Sequence, residues 1–328
     1  MRNNGLVDVL QLGEFGLIER LTRIVGAEGS PDLIVGPGDD AAVWRVGSEY
    51  LIATTDAMVE GVHFLPEPAR WQDVGWKALA ANLSDIAAMG GTPLFALVTL
   101  ALPPATPAES MDALYRGLGE AAREYGVIIA GGDIVRAPQA SVTVALTGRA
   151  AQRDGEALVL RRSAARPGDI IAVTGTLGDS AAGLRLLQAG TAPDDPIVQR
   201  HTRPTPRIDA GRAAVEAGVR CGIDVSDGLL QDVGHVCEMS NIGALLRAAE
   251  LPLSDGLRAA FPDDALELAC TGGEDYELLV IGPAVAVSEV PGVTVIGEIA
   301  EGPPRATLFD DDGNEIKFAH TGWDAFRS

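Results

Sequence analysis

Lysine is almost missing: Lys77 and Lys317 are the only two in 328 residues, and neither stands in a G-x-x-x-x-G-K-[ST] pattern. Without that pattern there is no P-loop, whose lysine reaches the β- and γ-phosphates. H-R-D and D-F-G are also absent, which excludes protein-kinase machinery, and no G-x-S-x-G marks an acyl-transfer nucleophile. Cysteine is scarce. Cys221, Cys237 and Cys270 form no C-x-x-C pair, so neither a zinc site nor a disulfide framework is expected. They read as small buried hydrophobes in a reducing compartment. No apolar run approaches the roughly 18–20 residues that span a bilayer. The opening MRNNGLVDVLQLGEFGLIERL places charges where a signal peptide needs an apolar core. The expectation is a cytoplasmic chain without a membrane partner. Basic residues number 25 against 46 acidic ones, a formal charge of −21. That balance argues against nucleic-acid binding, which rests on neutralising phosphates.

The patterning that is present predicts a mixed fold. Residues 13–25 carry apolar side chains at Phe15, Leu17, Ile18, Leu21, Ile24 and Val25, a helical period. Strand-like runs DLIV, AAVWRV and EYLIATT follow, then a helix over about 70–89, a strand FALVTLAL, and a helix over 108–125 ended by Gly126. GVIIAGG and SVTVALTGRA read as two more strands. A polar, turn-rich stretch from about 150 suggests two domains, 1–150 and 151–328. The second opens on the strand DIIAVTG and the helix SAAGLRLLQAG. After a proline-rich link near 202–207 come a helix, a strand, a helix and a β-rich end. Helices and strands mix without strict alternation, which predicts an α+β architecture.

Within this frame one pattern recurs: an aspartate at the end of an apolar run, beside glycine or a small hydroxyl residue. It occurs in GPGDD (36–40), TTD (54–56), AGGD (130–133), DVSDG (224–228) and TGGED (271–275). Each alone is ordinary turn chemistry. A sixth case is helical: Asn82 and Asp85 lie three apart, on one face of the 70–89 helix. An unpaired carboxylate on an apolar helix is expensive to bury. Six oxygen-rich sites without a His or Cys cluster point to a hard cation, Mg²⁺ or Mn²⁺, and through it to a phosphorylated substrate. Glycine-rich turns can supply backbone N–H groups to phosphates; AGGD, VTGTLGDSAAGL and TGGED are candidates.

Taken in order, GEFGLIERL, GPGDDAAV, TTDAMVEGVHF, KALAANLSDIAAMGGTP, AGGD, LRRSAARPGD, VTGTLGDSAAGL, RPTPR, IDVSDGLLQDVGH, GGEDYEL and GWDAF span nearly the whole chain. This series resembles the thiamine-monophosphate kinase family. Shorter pieces are shared with a wider ATP-binding superfamily that includes aminoimidazole ribonucleotide synthetase, selenophosphate synthetase and a hydrogenase maturation protein. The resemblance implies an α/β N-terminal domain that dimerises through its sheet and an α+β C-terminal domain. It also implies Mg-dependent transfer of the ATP γ-phosphoryl group to thiamine monophosphate, with several Mg²⁺ ions and no covalent nucleophile. By resemblance, Asp40, Thr54, Thr55, Asp56, Asp85, Asp133, Asp224 and Asp227 would serve the metals. Tyr115, Gly132, Asp133, Arg162 and Ser226 would contact ATP, while His63, Glu274 and Trp323 would hold thiamine monophosphate. The family pattern often has Ser where Thr54 stands, and a threonine where Ile134 follows Asp133. Two other readings remain: another ATP-dependent enzyme of the superfamily, and a non-catalytic nucleotide or thiamine binder. The first cysteine, Cys221, lies far from the N-terminal position expected of a selenophosphate synthetase.

Overall fold

The computed structural model describes residues 8–26, 30–65, 67 and 69–324; the side chain of Phe15 and the Ala325-Phe326 end of GWDAF lie outside them. After helix α1 (Val9–Val25), the first sheet contains β1 (Leu33–Val35), β2 (Ala42–Val46), β3 (Glu49–Val59), β4 (Thr92–Leu102), β5 (Ile128–Arg136) and β6 (Ser141–Arg149). Their order is β1-β2-β3-β6-β4-β5, with β4 and β5 parallel and the other pairs antiparallel. Along β6, Val142, Val144 and Leu146 are buried while their neighbours are half-buried, the period of a sheet with one core face. β5 is the edge strand and is exposed along nearly its whole length.

Helices α2 (Trp71–Ala88) and α3 (Ala108–Tyr125) pack together beside this sheet. Glycine permits their close crossing. A Cβ on Gly75 would fall 2.0 Å from the Leu114 carbonyl oxygen, and one on Gly117 would fall 1.8 Å from that of Gln72. Helix α2 is buried on almost every side, because it also meets the second half of the chain.

A small hairpin, β7 (Ala151–Arg153) with β8 (Glu156–Leu158), leads to the second sheet. This sheet comprises β9 (Ile170–Thr174), β10 (Cys221–Asp224), β11 (Gly243–Arg247), β12 (Leu278–Gly282), β13 (Val293–Ala300), β14 (Ala306–Phe309) and β15 (Glu315–Ile316). Their order is β10-β12-β9-β13-β11-β14-β15, antiparallel except for β11 with β14. The helices of this half are α4 (Asp179–Gln188), α5 (Pro196–Thr202), α6 (Ile208–Ala217), α7 (Leu229–Ser240), α8 (Asp255–Ala260), α9 (Ala265–Thr271) and α10 (Ala284–Val287). β12 is buried at every position, as the continuous apolar run LLVIG requires of a strand covered on both faces. One face packs Ile171, Val173 and Ile281 against Val233 and Val236 of α7; the other packs Ala172 and Val280 against Ala214 and Val215 of α6.

This is the α+β architecture expected from the sequence, with differences of detail that include the short helices α8, α9 and α10, which were not expected. β3 continues past TTD to Val59 and β5 past AGGD to Arg136, so Asp56 and Asp133 lie inside strands. Partner strands supply the backbone bonds there: Asp56 stands opposite Val144, and Asp133 opposite Thr99. Helix α5 was not foreseen, although Asp195 accepts from the Ile197 and Val198 N–H groups ahead of Pro196, a readable start signal. The three cysteines are buried and free, and burial pushes the Cys237 and Cys270 thiols up to about 12.

Candidate active site

Acidic side chains from both sheets meet on two adjacent residues of α2. Thr54 and Asp56 point from β3 toward the helix, since alternate strand residues share a face. Thr54 Oγ1 donates a hydrogen bond to Asp85 Oδ2, and the Asp56 N–H donates to Asn82 Oδ1 at 3.2 Å. From the other side, Ser84 Oγ donates to Asp224 Oδ2 at 2.5 Å, at the last residue of β10. Asp40 completes the group. Oxygens of Asp40, Asp85 and Asp224 all lie within 4.8 Å of one another.

The electrostatics of this group are unusual. Burial raises the Asp40, Asp56, Asp85 and Asp224 carboxyls above the usual range; the negative charge of neighbouring members adds to it at Asp56, Asp85 and Asp224, whereas Arg162 opposes it at Asp40. For Asp224 the result is about 7. One cation faces them: the Arg162 guanidinium pairs with Asp40 Oδ1, and this pairing outweighs the burial that would otherwise lower the Arg162 pKa. Asp40 Oδ2 is buried without a hydrogen-bond partner among the described residues. An all-oxygen donor set, an excess of carboxylates over cations and an orphaned buried acceptor together fit a hard divalent cation.

The DVSDG turn after β10 is folded around a carboxylate that the sequence reading passed over. Asp232 Oδ2 accepts the N–H groups of Ser226, Asp227 and Gly228 at 3.1, 3.2 and 3.0 Å. Asp227, which burial raises to about 6, accepts from Gln231 Nε2 at 3.0 Å. The same Gln231 donates to the Trp323 carbonyl at 2.7 Å, while the Trp323 N–H donates to the Asp227 carbonyl at 3.0 Å. The chain end is thereby fastened to the turn. On its other side the turn pairs with GGEDYEL: the Glu274 N–H donates to Ser226 O at 2.7 Å, and the Tyr276 N–H to Val225 O at 2.9 Å.

Next to these elements lies a cavity of about 150 Å³, whose walls include Val62, His63, Phe64, Lys77, His201 and Glu274. The His63 ring meets the Trp323 ring edge-on, with centroids 5.9 Å apart. His63 Nδ1 accepts the Val59 N–H at 3.1 Å, and burial lowers its pKa. Thus the expected trio His63, Glu274 and Trp323 is brought together, two on the cavity wall and the third against His63. Sequence reading missed Lys77 and His201. A lone lysine inside an apolar helix was a visible signal; nothing marked His201.

Other expected residues stand apart. Thr55 faces away from α2, and its hydroxyl donates to Val144 O at 3.1 Å. Asp133 is exposed on the edge strand β5, where a Cβ at the adjoining Gly132 would fall 1.8 Å from Val98 O. Tyr115 lies on the outer surface of α3 beside Asp112 and Arg116. Two further carboxylates act locally: Asp39 Oδ1 accepts the Arg162 N–H at 2.9 Å, and Asp275 accepts the Gly178 and Ser180 N–H groups at the start of α4.

Residues 38–150 match the family model of the AIR synthase related protein N-terminal domain, and residues 166–307 match that of its C-terminal domain. The chain is similar to the thiamine-monophosphate kinase of Mycobacterium tuberculosis, 39% identical over 322 residues that cover 96% of this chain and 92% of that one. The Escherichia coli K12 enzyme of the same name is 39% identical over 332 residues, covering 96% and 98%. A solved structure described as AaThiL complexed with AMPPCP and TMP superposes with a TM-score of 0.87 at 33% identity, covering 98% of this chain and 100% of that one. The chain belongs to the thiamine-monophosphate kinase family, on the two-part fold of AIR synthase related proteins.

Proposed function

We propose that this protein transfers the γ-phosphoryl group of ATP to the phosphate of thiamine monophosphate, giving thiamine diphosphate and ADP. One observation carries the reading: helix α2 bears both Asp85 of the Asp40–Asp85–Asp224 group and Lys77, which lines the cavity together with His63 and Glu274. A phosphoryl-transfer centre and a pocket for an organic cation thus share one frame. Residues 1–150 would supply most metal and ATP contacts, and residues 151–328 would complete both sites.

Asp40, Asp56, Asp85 and Asp224 would hold Mg²⁺, with Thr54 orienting Asp85 and Ser84 orienting Asp224. Mg²⁺ held by these carboxylates would supply positive charge against the phosphates during transfer. Arg162 and the Ser226–Gly228 turn would position the nucleotide, and Asp227, on that turn, would add a metal ligand. The acceptor is a phosphate oxygen that is already deprotonated near neutral pH, so no general base is required. Transfer is therefore direct, without a phosphoenzyme. His63 and Trp323 would pack on the thiamine rings, with a cation–π contribution of about 0.5–2 kcal/mol.

Asp133, Gly132 and Tyr115 fit a site completed by a second copy of the chain. β5 leaves its outer backbone edge open, and Phe95, Leu97, Ile128 and Ile134 are exposed beside it, as a sheet-to-sheet homodimer needs. A cytoplasmic setting suits three buried free thiols, and among the described residues no helix is long and apolar enough to cross a membrane.

The test is an incubation with ATP, Mg²⁺ and thiamine monophosphate, followed by chromatography. Thiamine diphosphate and ADP are expected in equal amounts, and none after EDTA. Folded protein that yields no thiamine diphosphate under these conditions overturns the proposal.

A further inference from the structure

Lys77 is one of two lysines in the chain and has almost no solvent contact. Taking an ammonium out of water costs several kcal/mol unless it is well paired, so its partner is informative. Lys77 Nζ meets Glu274 Oε1 at 2.8 Å. Only 4% of the lysine side chain is exposed, against 29% of the glutamate's, and Glu274 lines the cavity. Both residues border the cavity, but it is the carboxylate that carries most of the exposed surface.

The Glu274 backbone is held in place. It sits at φ 65°, in the left-handed region that is strained for a residue with a Cβ. Its N–H and that of Tyr276, also at a positive φ of 51°, are tied to the 225–226 turn. His201 closes the set: Nε2 lies 3.3 Å from Lys77 Nζ, and Nδ1 lies 3.1 Å from Ser180 Oγ. Burial and the Lys77 charge push His201 down to about 3, so it stays neutral and Lys77 is the cation of the group. Burial alone would raise the Glu274 carboxyl, yet the charge and hydrogen bond of Lys77 hold it below its ordinary value.

Spacing adds a second argument. Lys77 and Ser84 are seven residues apart on α2, two turns, so both face the second half of the chain about 10 Å from each other. One end of this ruler reaches Glu274 and the other reaches Asp224. A substrate with a phosphate at one end and an amino-substituted, cation-bearing heterocycle at the other matches that division.

Resting on the function proposed above, we propose that Lys77 is a positioning residue that sets substrate specificity. It fixes the Glu274 carboxylate toward the cavity as an anionic anchor for the heterocyclic end of thiamine monophosphate. Lys77 itself does not touch the substrate.

Steady-state kinetics of Lys77→Met, Glu274→Gln and the double variant test this. Lys77→Met is expected to raise the KM for thiamine monophosphate about tenfold or more, the loss typical of a charged hydrogen bond, and to leave the KM for ATP within about twofold. In the double variant the two losses are expected not to multiply, because both variants remove one anchor. Equal rises in both KM values, or fully multiplicative losses, overturn the inference. Should Lys77→Met fail to unfold cooperatively, Lys77→Arg decides, since it keeps the charge. There the KM for thiamine monophosphate is expected to stay within about threefold of wild type, and a tenfold rise overturns the inference. Wild-type protein that makes no thiamine diphosphate overturns the proposed function and this inference together, whereas wild-type turnover with an unselective Lys77→Met overturns this inference alone.

Discussion

Asp39 and Asp40 are neighbours with separate duties. Asp39 Oδ1 accepts the Arg162 N–H, and burial opposed by that bond leaves its carboxyl at about 6. Asp40 turns the other way, toward Asp85 and Asp224, with one oxygen on the Arg162 side chain and one unpartnered. Asp40→Asn should therefore lower kcat/KM about a hundredfold or more, a few kcal/mol of lost metal-dependent stabilisation. Asp39→Asn should cost less than about tenfold, since one neutral hydrogen bond still holds the loop. Mg²⁺ titrations of the two variants check this directly: only Asp40→Asn should shift the Mg²⁺ requirement upward. Equal shifts would show that the division between the two carboxylates is wrong.

At the scale of elements, α2 connects fold and site. Its Asp85 faces the first sheet and its Ser84 the second, so any tilt of the helix moves both at once. The tilt is set where α2 crosses α3, at Gly75 and Gly117, where backbones touch without side chains between them. Gly117→Ala places a methyl group 1.8 Å from the Gln72 carbonyl oxygen. Overpacking of this kind costs about 1–3 kcal/mol, to be read as a lower midpoint in urea unfolding. The crossing angle must also yield, so activity per folded molecule should fall with it. Unchanged stability would mean that α3 can shift outward freely.

For the whole molecule the open question of assembly lies at β5. Ile134, at 69% exposure, follows Asp133 on the bare edge, and Phe95 and Leu97 of β4 are exposed farther along the same pair of strands, opposite Ile128 and Gly131. Ile134→Lys places a charge on that edge and is expected to convert a dimer into a monomer in light scattering, with loss of activity if Asp133 serves a shared site. A wild-type protein that is monomeric at every concentration would overturn the dimer.

Much of this was legible in the sequence because it is local. The span of α3, the glycine that ends it and the alternation of β6 follow from side-chain period and cap chemistry within a few residues. The run of aspartates beside glycine or small hydroxyl residues is likewise a local pattern, and it marks those carboxylates as candidates. Strand ends were less legible, since pairing with β4 and β6, not composition, decides where β5 and β3 stop. Tertiary structure alone decided which carboxylates meet. Asp40, Asp85 and Asp224 are scattered over 185 residues and converge only because one helix is clasped between two sheets. It also decided that Lys77 finds Glu274 and His201, partners more than 120 residues away. A sequence can state that a buried lysine needs a partner, because desolvation demands one; only the packed chain supplies which.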